Sequence, residues 1–373
     1  MVASVLHVGI TIDTSSGEGR EMLRGASDYA RQRANWEIVL PCFESAAGSV
    51  NVPHWCDGLL VRPLKPTDLE ACLKFKGPMF GLVAAGLVDQ GIPCLTSNGS
   101  EMTLQAFDHL RGLGLKRMGY IGFEGFRYSE IRERIFLKAA GEANLEADVF
   151  NVSAPLDRKE LMAWLKSRKP PFGIFATNDL LAREVINCAH ESGIRIPGEM
   201  CVVGAGNDEA ICSLSSPTLS SVDPGAYQIG FEGARRLDLL MRGKDTKQFE
   251  LISPLGVVER ESSDIRLQDP LIAQVLGVIR SDAQRGLSVT DLLEQFPISQ
   301  SSLNRRFREA TGRSPYEEIQ RVRVERAKYL LRHSDLSNES IGEECGFPTT
   351  KAFYLAFRAA TKLTPRAYRF QTG

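Results

Sequence analysis

The sequence predicts a molecule in two parts: a two-lobed α/β region of doubly wound parallel sheets over residues 1–265, and an all-α region over residues 271–373, with a linker at 266–270. Three observations predict it. Short, almost continuously apolar runs alternate with amphipathic stretches through the first part, the pattern of parallel strands covered by helices on both faces. One helical unit occurs twice in the last hundred residues, about fifty positions apart. Charge is also uneven: residues 270–373 hold 16 Lys and Arg against 11 Asp and Glu, while the remainder holds 29 against 35 in a chain of net charge −1. That excess places any attraction for phosphate at the helical end.

In chain order, the strand-like runs fall at 5–12, 36–40, 58–61, 79–83, 118–121, 173–176 and 201–205, with amphipathic helical stretches at 19–33, 100–113, 129–143 and 179–192. Two such sets, divided near residues 97–108, imply two similar lobes. Ligands of open parallel sheets sit beyond the carboxyl ends of the strands, which for two facing lobes means the cleft between them.

The repeat is specific. Leu303 and Phe307 return as Phe353 and Phe357, Phe307-Arg308 as Phe357-Arg358, and the exit Ser314-Pro315 as Thr364-Pro365. Apolar anchors at i, i+4 mark one buried helix face. A shorter helix precedes each, at 289–295 and 340–344, followed by a break at Phe296-Pro297 or Gly346-Phe347-Pro348. Helix, tight break and second helix with polar exposed residues is a helix-turn-helix, whose second helix enters the DNA major groove. The units are expected at about 288–308 and 338–358, joined by a long helix at 315–333 with an apolar stripe of Ile319, Val322, Ala327, Leu330 and Leu331. Two units on one rigid helix suit successive major grooves of double-stranded DNA.

Gln300, Ser301, Asn304 and Arg305 form the exposed surface of the first reading helix, and Thr349, Thr350, Lys351 and Tyr354 that of the second. Arg pairs with guanine, and Asn or Gln with adenine, through two hydrogen bonds. Arg308 and Arg358 lie past the apolar anchors and suit phosphate, which positions without specifying. Helix capping is the competing role for Ser301, Thr349 and Thr350. Asn304 and Arg305 sit inside a helix, where capping does not account for them.

With Gly346-Phe347, Phe353, Phe357-Arg358, Pro365 and Tyr368-Arg369, the chain from about residue 270 onward resembles the AraC-type transcription regulators. A second resemblance covers roughly residues 4–264. Phe107-Asp108-His109-Leu110, 117–122, Phe175-Ala176-Thr177-Asn178-Asp179, Ile196-Pro197 with Val202-Val203-Gly204, 219–223 and 257–263 are similar to the lac-repressor-type sensor, a periplasmic-binding-protein fold. A sensor of that type followed by AraC-type helices resembles the xylose operon regulators of bacteria. The resemblance implies a transcription regulator that binds operator DNA under control of a small-molecule effector, a sugar. It also implies a homodimer able to engage the transcription machinery.

Carried over by position, the resemblance implies Asp13 after the first strand, Arg132 on the helix after the 118–121 strand, and Asn178 as ligand contacts. Competing roles exist here too: Asp179, directly before Leu180-Leu181-Ala182, reads as a helix cap, and Arg132 between Ile131 and Glu133 as a solvated residue. Two departures stand out. Gly206 occupies the place where the family carries an acid, with Asn207 and Asp208 following it as further ligand candidates. Ser97 stands where xylose regulators tend to carry Asp. Carboxylates are strong hydroxyl acceptors, each bond worth roughly 1.5–3 kcal/mol, so xylose, another sugar and a non-sugar effector all remain open at this point.

Other function classes find little support. Eight cysteines lack any Cys-x-x-Cys pair and are mostly flanked by apolar residues, as buried thiols of a reducing compartment are. No metal or cofactor is expected, since the five histidines are scattered. Gly17-Glu18-Gly19 lacks the third glycine of a dinucleotide fingerprint, and no Gly-x-Ser-x-Gly elbow occurs, so an enzyme is not expected. The opening residues read as a strand without a charged leader, and no apolar run reaches the roughly twenty residues of a membrane span. A cytoplasmic protein is expected, which disfavours a transport-type binding protein.

Overall fold

The computed structural model describes residues 5–33, 35–40, 52, 55–63, 65–83, 86–153, 155–264, 269–311, 313–333 and 336–372. They form two compact units, residues 1–264 and 265–373. The expected linker at 266–270 lies outside the described residues except for its last two positions.

The first unit opens with β1 (Leu6–Thr11), α1 (Gly17–Arg33), β2 (Trp36–Val39), β3 (Gly58–Val61), α2 (Pro66–Leu73), β4 (Met79–Gly81) and β5 (Cys94–Ser97). The chain then crosses to α3 (Gly99–Gly112), β6 (Arg117–Phe123), α4 (Arg127–Glu142), β7 (Glu146–Val152), α5 (Arg158–Lys166) and β8 (Phe172–Ala176). It continues through α6 (Asp179–Glu191), β9 (Met200–Ala205), α7 (Glu209–Leu214) and β10 (Ser220–Asp223). It returns through α8 (Ala226–Met241) and β11 (Phe249–Ile252), and crosses again into β12 (Gly256–Val258). The two six-stranded sheets run β11-β5-β4-β3-β1-β2 and β12-β10-β9-β8-β6-β7. Every pairing is parallel except β10 with β12.

A single division of the lobes near 97–108 is therefore corrected. Helix α8 packs on the first sheet through Ile229, Ala234 and Leu237, against Val8, Ile10 and Leu60. Strand β11 extends that sheet from β5. The first lobe is thus assembled from both ends of the unit. Glycine permits the closure: a Cβ on Gly230 of α8 would stand 1.9 Å from the Met22 carbonyl oxygen of α1, so only a bare Cα lets the two helices approach. Strands β1, β3, β4, β8 and β9 are buried nearly throughout, as strands covered on both faces must be. Seven of the eight cysteines are free and buried; Cys42 lies outside the described residues.

The second unit is α-helical: α9 (Pro270–Asp282), α10 (Val289–Gln295), α11 (Gln300–Thr311), α12 (Pro315–His333), α13 (Asn338–Glu344), α14 (Thr350–Thr361) and α15 (Pro365–Thr372). Asp269 caps α9 through bonds to the Leu271 and Ile272 amides, so the helical region begins at Asp269 instead of beyond residue 270. The same carboxylate holds Arg306 of α11 with two bonds of 2.6 Å. Ser314 and Glu317 bond reciprocally at the start of α12, with Pro315 at its first position.

Each half of α12 serves a separate core. Ile319 packs with Leu292, Leu303 and Phe307, while Val324, Ala327 and Leu331 pack with Ile341, Phe353 and Phe357. Between them Arg323 is 4% exposed. Its Nε and Nη2 donate to the Ala283 and Leu287 carbonyls at 2.8 Å each, and its guanidinium lies 5.7 Å from the Phe347 ring centre. It thus ties the connection between α9 and α10, which leads into the first helix-turn-helix, to the turn of the second. Bonds from a charged donor contribute roughly 1.5–3 kcal/mol each. Arg323→Met is expected to destabilise the helical unit by about 3 kcal/mol, while Arg323→Lys, which lacks the planar fork, recovers only part. Urea unfolding followed by helical circular dichroism checks both.

Candidate functional site

The carboxyl ends of the parallel strands bring the cleft residues together. From the first lobe come Asp13 after β1, Glu18 and Arg20 on α1, and Arg62 directly after β3. From the second come Tyr128 and Arg132 on α4, Asn178 after β8, and Asn207 and Asp208 after β9.

Arg132 is half-buried and ordered, not a solvated helix residue. Its Nη1 donates to the Thr177 carbonyl, its guanidinium lies 5.5 Å from the Tyr128 ring centre, and its Nη2 is 3.7 Å from Met102 Sδ. Its Nε is buried without a hydrogen-bond partner, and among the described residues no carboxylate pairs with it. Ser97, at the end of β5, directs its hydroxyl to Met102 Sδ at 3.2 Å. Burial raises the Tyr128 phenol, opposed by Arg132 and by a hydrogen bond from Asn178; Glu18 of the other lobe raises it further.

Arg62 was not singled out from the sequence. It pairs with Glu18, and its Nε is also buried without a partner. The available signal was its position, as the first polar side chain beyond the fully buried strand Gly58–Val61. Asp13 is turned to its own loop, accepting from the Ser15 amide at 2.9 Å and the Ser15 hydroxyl at 2.8 Å.

The cap of α6 is Asn178 and not Asp179: the Asn178 side chain accepts from the Leu181 amide at 2.8 Å. Asp179 is instead buried behind the cleft, accepting from Ser221 Oγ at 2.5 Å and the Asp208 amide at 2.8 Å. Burial lifts its carboxyl to about 6, against the pull of those two bonds. Asp179 also accounts for the glycine at 206. Gly206 has φ +129°, and a Cβ there would meet Asp179 Oδ2 at 3.1 Å, so this backbone does not accept an acidic side chain.

Asn207 and Asp208 are both committed to protein partners. Asn207 donates to Asp223 and accepts from Arg260. Asp208 caps α7 and reaches across the cleft, accepting from the Gly17 amide at 2.8 Å and pairing with Arg20 at 3.2 Å. It therefore links the lobes instead of facing an effector.

The two reading helices share one burial pattern. Leu303 and Phe307, like Phe353 and Phe357, are fully buried, and the residues between them alternate identically between half-buried and exposed. The exits match as well: Thr311 Oγ bonds the Phe307 carbonyl at 2.8 Å, and Thr361 Oγ the Phe357 carbonyl at 2.7 Å. Gln300, Ser301, Arg305 and Arg308 are exposed on α11 and Asn304 is half-buried; Thr349, Thr350, Lys351 and Arg358 are exposed at α14. Ser301 does not cap α11: the Ser302 amide donates instead to Ser299 Oγ. Thr349 does cap α14, through the Ala352 amide at 3.1 Å, and Thr350 is its first helical residue. Arg305 pairs loosely with Glu309 in the exposed surface, and the Tyr354 hydroxyl accepts from Asn338. No described helix is long and apolar enough to cross a membrane.

Comparison with known proteins agrees with both halves. Residues 107–263 match the periplasmic binding protein-like domain, and residues 292–371 match a helix-turn-helix domain. The Xylose operon regulatory protein of Escherichia coli is 28% identical over 97% of this chain and 96% of its own length. That of Haemophilus influenzae is 31% identical over 74% of each. The solved structure of a xylose-binding transcription activator superposes over the whole of both chains with a TM-score of 0.64 at 27% identity. The sensor fold also matches a LacI-type regulator from Alkaliphilus metalliredigens, TM-score 0.54 at 20% identity, over 69% of this chain and 98% of that one.

Asp179 has a consequence that can be measured. Because its folded value lies above the ordinary carboxyl value of about 3.9, its contribution to stability is complete below that value and is lost as pH rises through about 6. Asp179→Asn is expected to flatten the pH dependence of sensor-unit stability between about pH 4 and 7, read by urea unfolding across that range.

Proposed function

This chain belongs to the xylose operon regulatory protein family, whose members are DNA-binding transcription regulators responsive to a ligand, and we propose that its effector is a sugar of the xylose class held between the lobes. The observation that carries this reading is the pair of arginines, Arg62 and Arg132, one from each lobe, each with a buried Nε that lacks a partner. Sugar hydroxyls or a ring oxygen would satisfy such donors, and a ligand bridging both lobes binds best when they are closed together. Arg62, Glu18, Tyr128 and Arg132 form the proposed first contacts, with Asp13 and Asn178 beside them. Asp208 acts in closure.

A second reading of the effector is favoured by Arg132. With Ser97 and Gly206 in place of acids and no carboxylate on Arg132, a sugar acid would supply the missing charge. The protein works in the cytoplasm on this proposal, as a homodimer that places two pairs of reading helices on one operator and engages the transcription machinery. On DNA, Gln300, Asn304 and Arg305 read base edges from α11, and Arg308 and Arg358 hold phosphates.

Calorimetry of the full chain with xylose and with xylonate tests the effector. Tight xylose binding with none for xylonate supports the neutral sugar; the reverse supports the acid; binding of neither sinks both. Arg132→Met is expected to abolish the effector's influence on operator affinity while leaving effector-free DNA binding within about twofold, because an effector shifts the protein only through its differential affinity for two states.

On the DNA side, Arg305→Ala should cost roughly 1–3 kcal/mol on the preferred operator and relax one base position. Arg308→Ala should weaken all sequences alike and reduce the salt dependence. An unchanged base preference for Arg305→Ala in a binding-site selection contradicts the base-reading role.

A further inference from the structure

The two reading helices carry opposite chemistry at the same place. Aligning the repeat by its buried anchors sets Leu303 with Phe353, Phe307 with Phe357, and Arg305 with Leu355. Leu355 lies two residues from each anchor, about 160° around the helix from both. It therefore occupies the crest of α14, the line farthest from the core. Leu355 is 64% exposed, and Arg305 at the matching position of α11 is likewise exposed. Among the described residues of the helical unit it is the most exposed large apolar side chain.

Of its four neighbours on that face two are alanines, Ala352 and Ala359, and two are charged. Lys351, four residues before, and Arg358, three after, are both exposed, so an apolar group is framed by two cations. A cationic rim selects a polyanion, which argues against an apolar protein surface as the occupant. Within the major groove all four bases present hydrogen-bonding atoms, and thymine alone adds a methyl group, on C5.

We infer that Leu355 reads thymine: its side chain packs on the C5 methyl at one position of the operator segment bound by α14, while the matching position of α11 is read through hydrogen bonds by Arg305. Exclusion of the other bases matters as much as the contact. Opposite guanine or cytosine, Leu355 would remove water from base-edge polar atoms and give them no partner in return, which penalises those bases. The inference rests on α14 entering the groove.

The test replaces thymines of a selected operator one at a time by deoxyuridine, which removes only the methyl group, and measures affinity of the full chain. One position under α14 is expected to lose roughly 3- to 10-fold, the scale of a single buried methyl contact. Leu355→Ala should bind the thymine and deoxyuridine operators equally. Leu355→Arg should move the selected base at that position from thymine to guanine. No deoxyuridine effect at any position, or an effect that persists in Leu355→Ala, overturns the inference. Lys351→Ala separates this from the underlying reading. If it weakens operator binding while deoxyuridine has no effect, α14 is at the DNA and only the methyl contact is wrong. If neither change matters, α14 is not in the groove. Thermal melts of the Leu355 variants should match the parent, since the position is outside the core.

Discussion

The geometry of the helical unit depends on one buried guanidinium. Arg323 sits where the two small cores of α12 meet, and desolvation pulls its pKa below the usual arginine value, yet its hydrogen bonds go to backbone carbonyls and not to a carboxylate. Its charge is satisfied by two backbone carbonyls of the connection between α9 and α10 and by the ring of Phe347 in the turn of the second helix-turn-helix. Neither core is large, and helices of seven residues such as α10 and α13 have little stability of their own. Gly346 adds to the constraint, with φ +77° and room for no Cβ beside the Ala283 and Gln284 carbonyls. The distance between two reading helices is thereby set by packing and not by the length of α12 alone.

In the sensor the organising constraint is different: parallel strands end at one edge, and polar groups past that edge have only each other or a ligand to meet. Glu18 with Arg62 and Asp208 with Arg20 show the first outcome, and the unpaired Nε atoms of Arg62 and Arg132 are the groups proposed above for the second. The exchange at 206–208 belongs to the same logic. A glycine at 206 leaves space for the buried Asp179 carboxylate, and Asp208, two residues on, reaches far enough to meet the amide end of α1 in the opposite lobe. The Asp208 carboxylate thereby joins the lobes.

Much of this was legible in the sequence. The sequence placed α10 and α12 at the bounds they have, while the two units, expected to end near 308 and 358, stopped a turn short of α11 and α14, which run to Thr311 and Thr361. Strands such as Gly58–Val61 and Met200–Ala205 stood out because burial on both faces demands continuous apolar residues. Glu146–Val152 did not, since this edge strand alternates exposed and buried positions and includes Glu146, Asp148 and Asn151. Strand β11 was missed for a similar reason, with Phe249 and Leu251 exposed at the sheet edge. The return of α8 to the first lobe rests on contacts over two hundred residues apart in sequence, such as Gly230 against Met22, which no local pattern encodes. At the site, residue type identified Asn178 but not what it does. A side chain at the end of a strand and the start of a helix can cap or bind, and hydrogen-bond geometry decides between them.

The two halves of the chain differ in how they use arginine. In the helical unit Arg306 and Arg323 are spent on the fold, one clamped by Asp269 at the point where the chain enters, the other inside. Because Asp269 bonds both the first turn of α9 and Arg306 on α11, no flexible segment separates the beginning of this unit from a reading helix. Arg305, one residue from Arg306, has only an exposed glutamate and remains available. The helical period alone produces this division: adjacent residues point about 100° apart, so of two consecutive arginines one joins the scaffold and the other faces outward. In the second unit the same two positions hold Leu355 and Ala356. There the scaffold needs no clamp, because no linker enters at that helix, and the outward position is free to carry an apolar group in place of a charge.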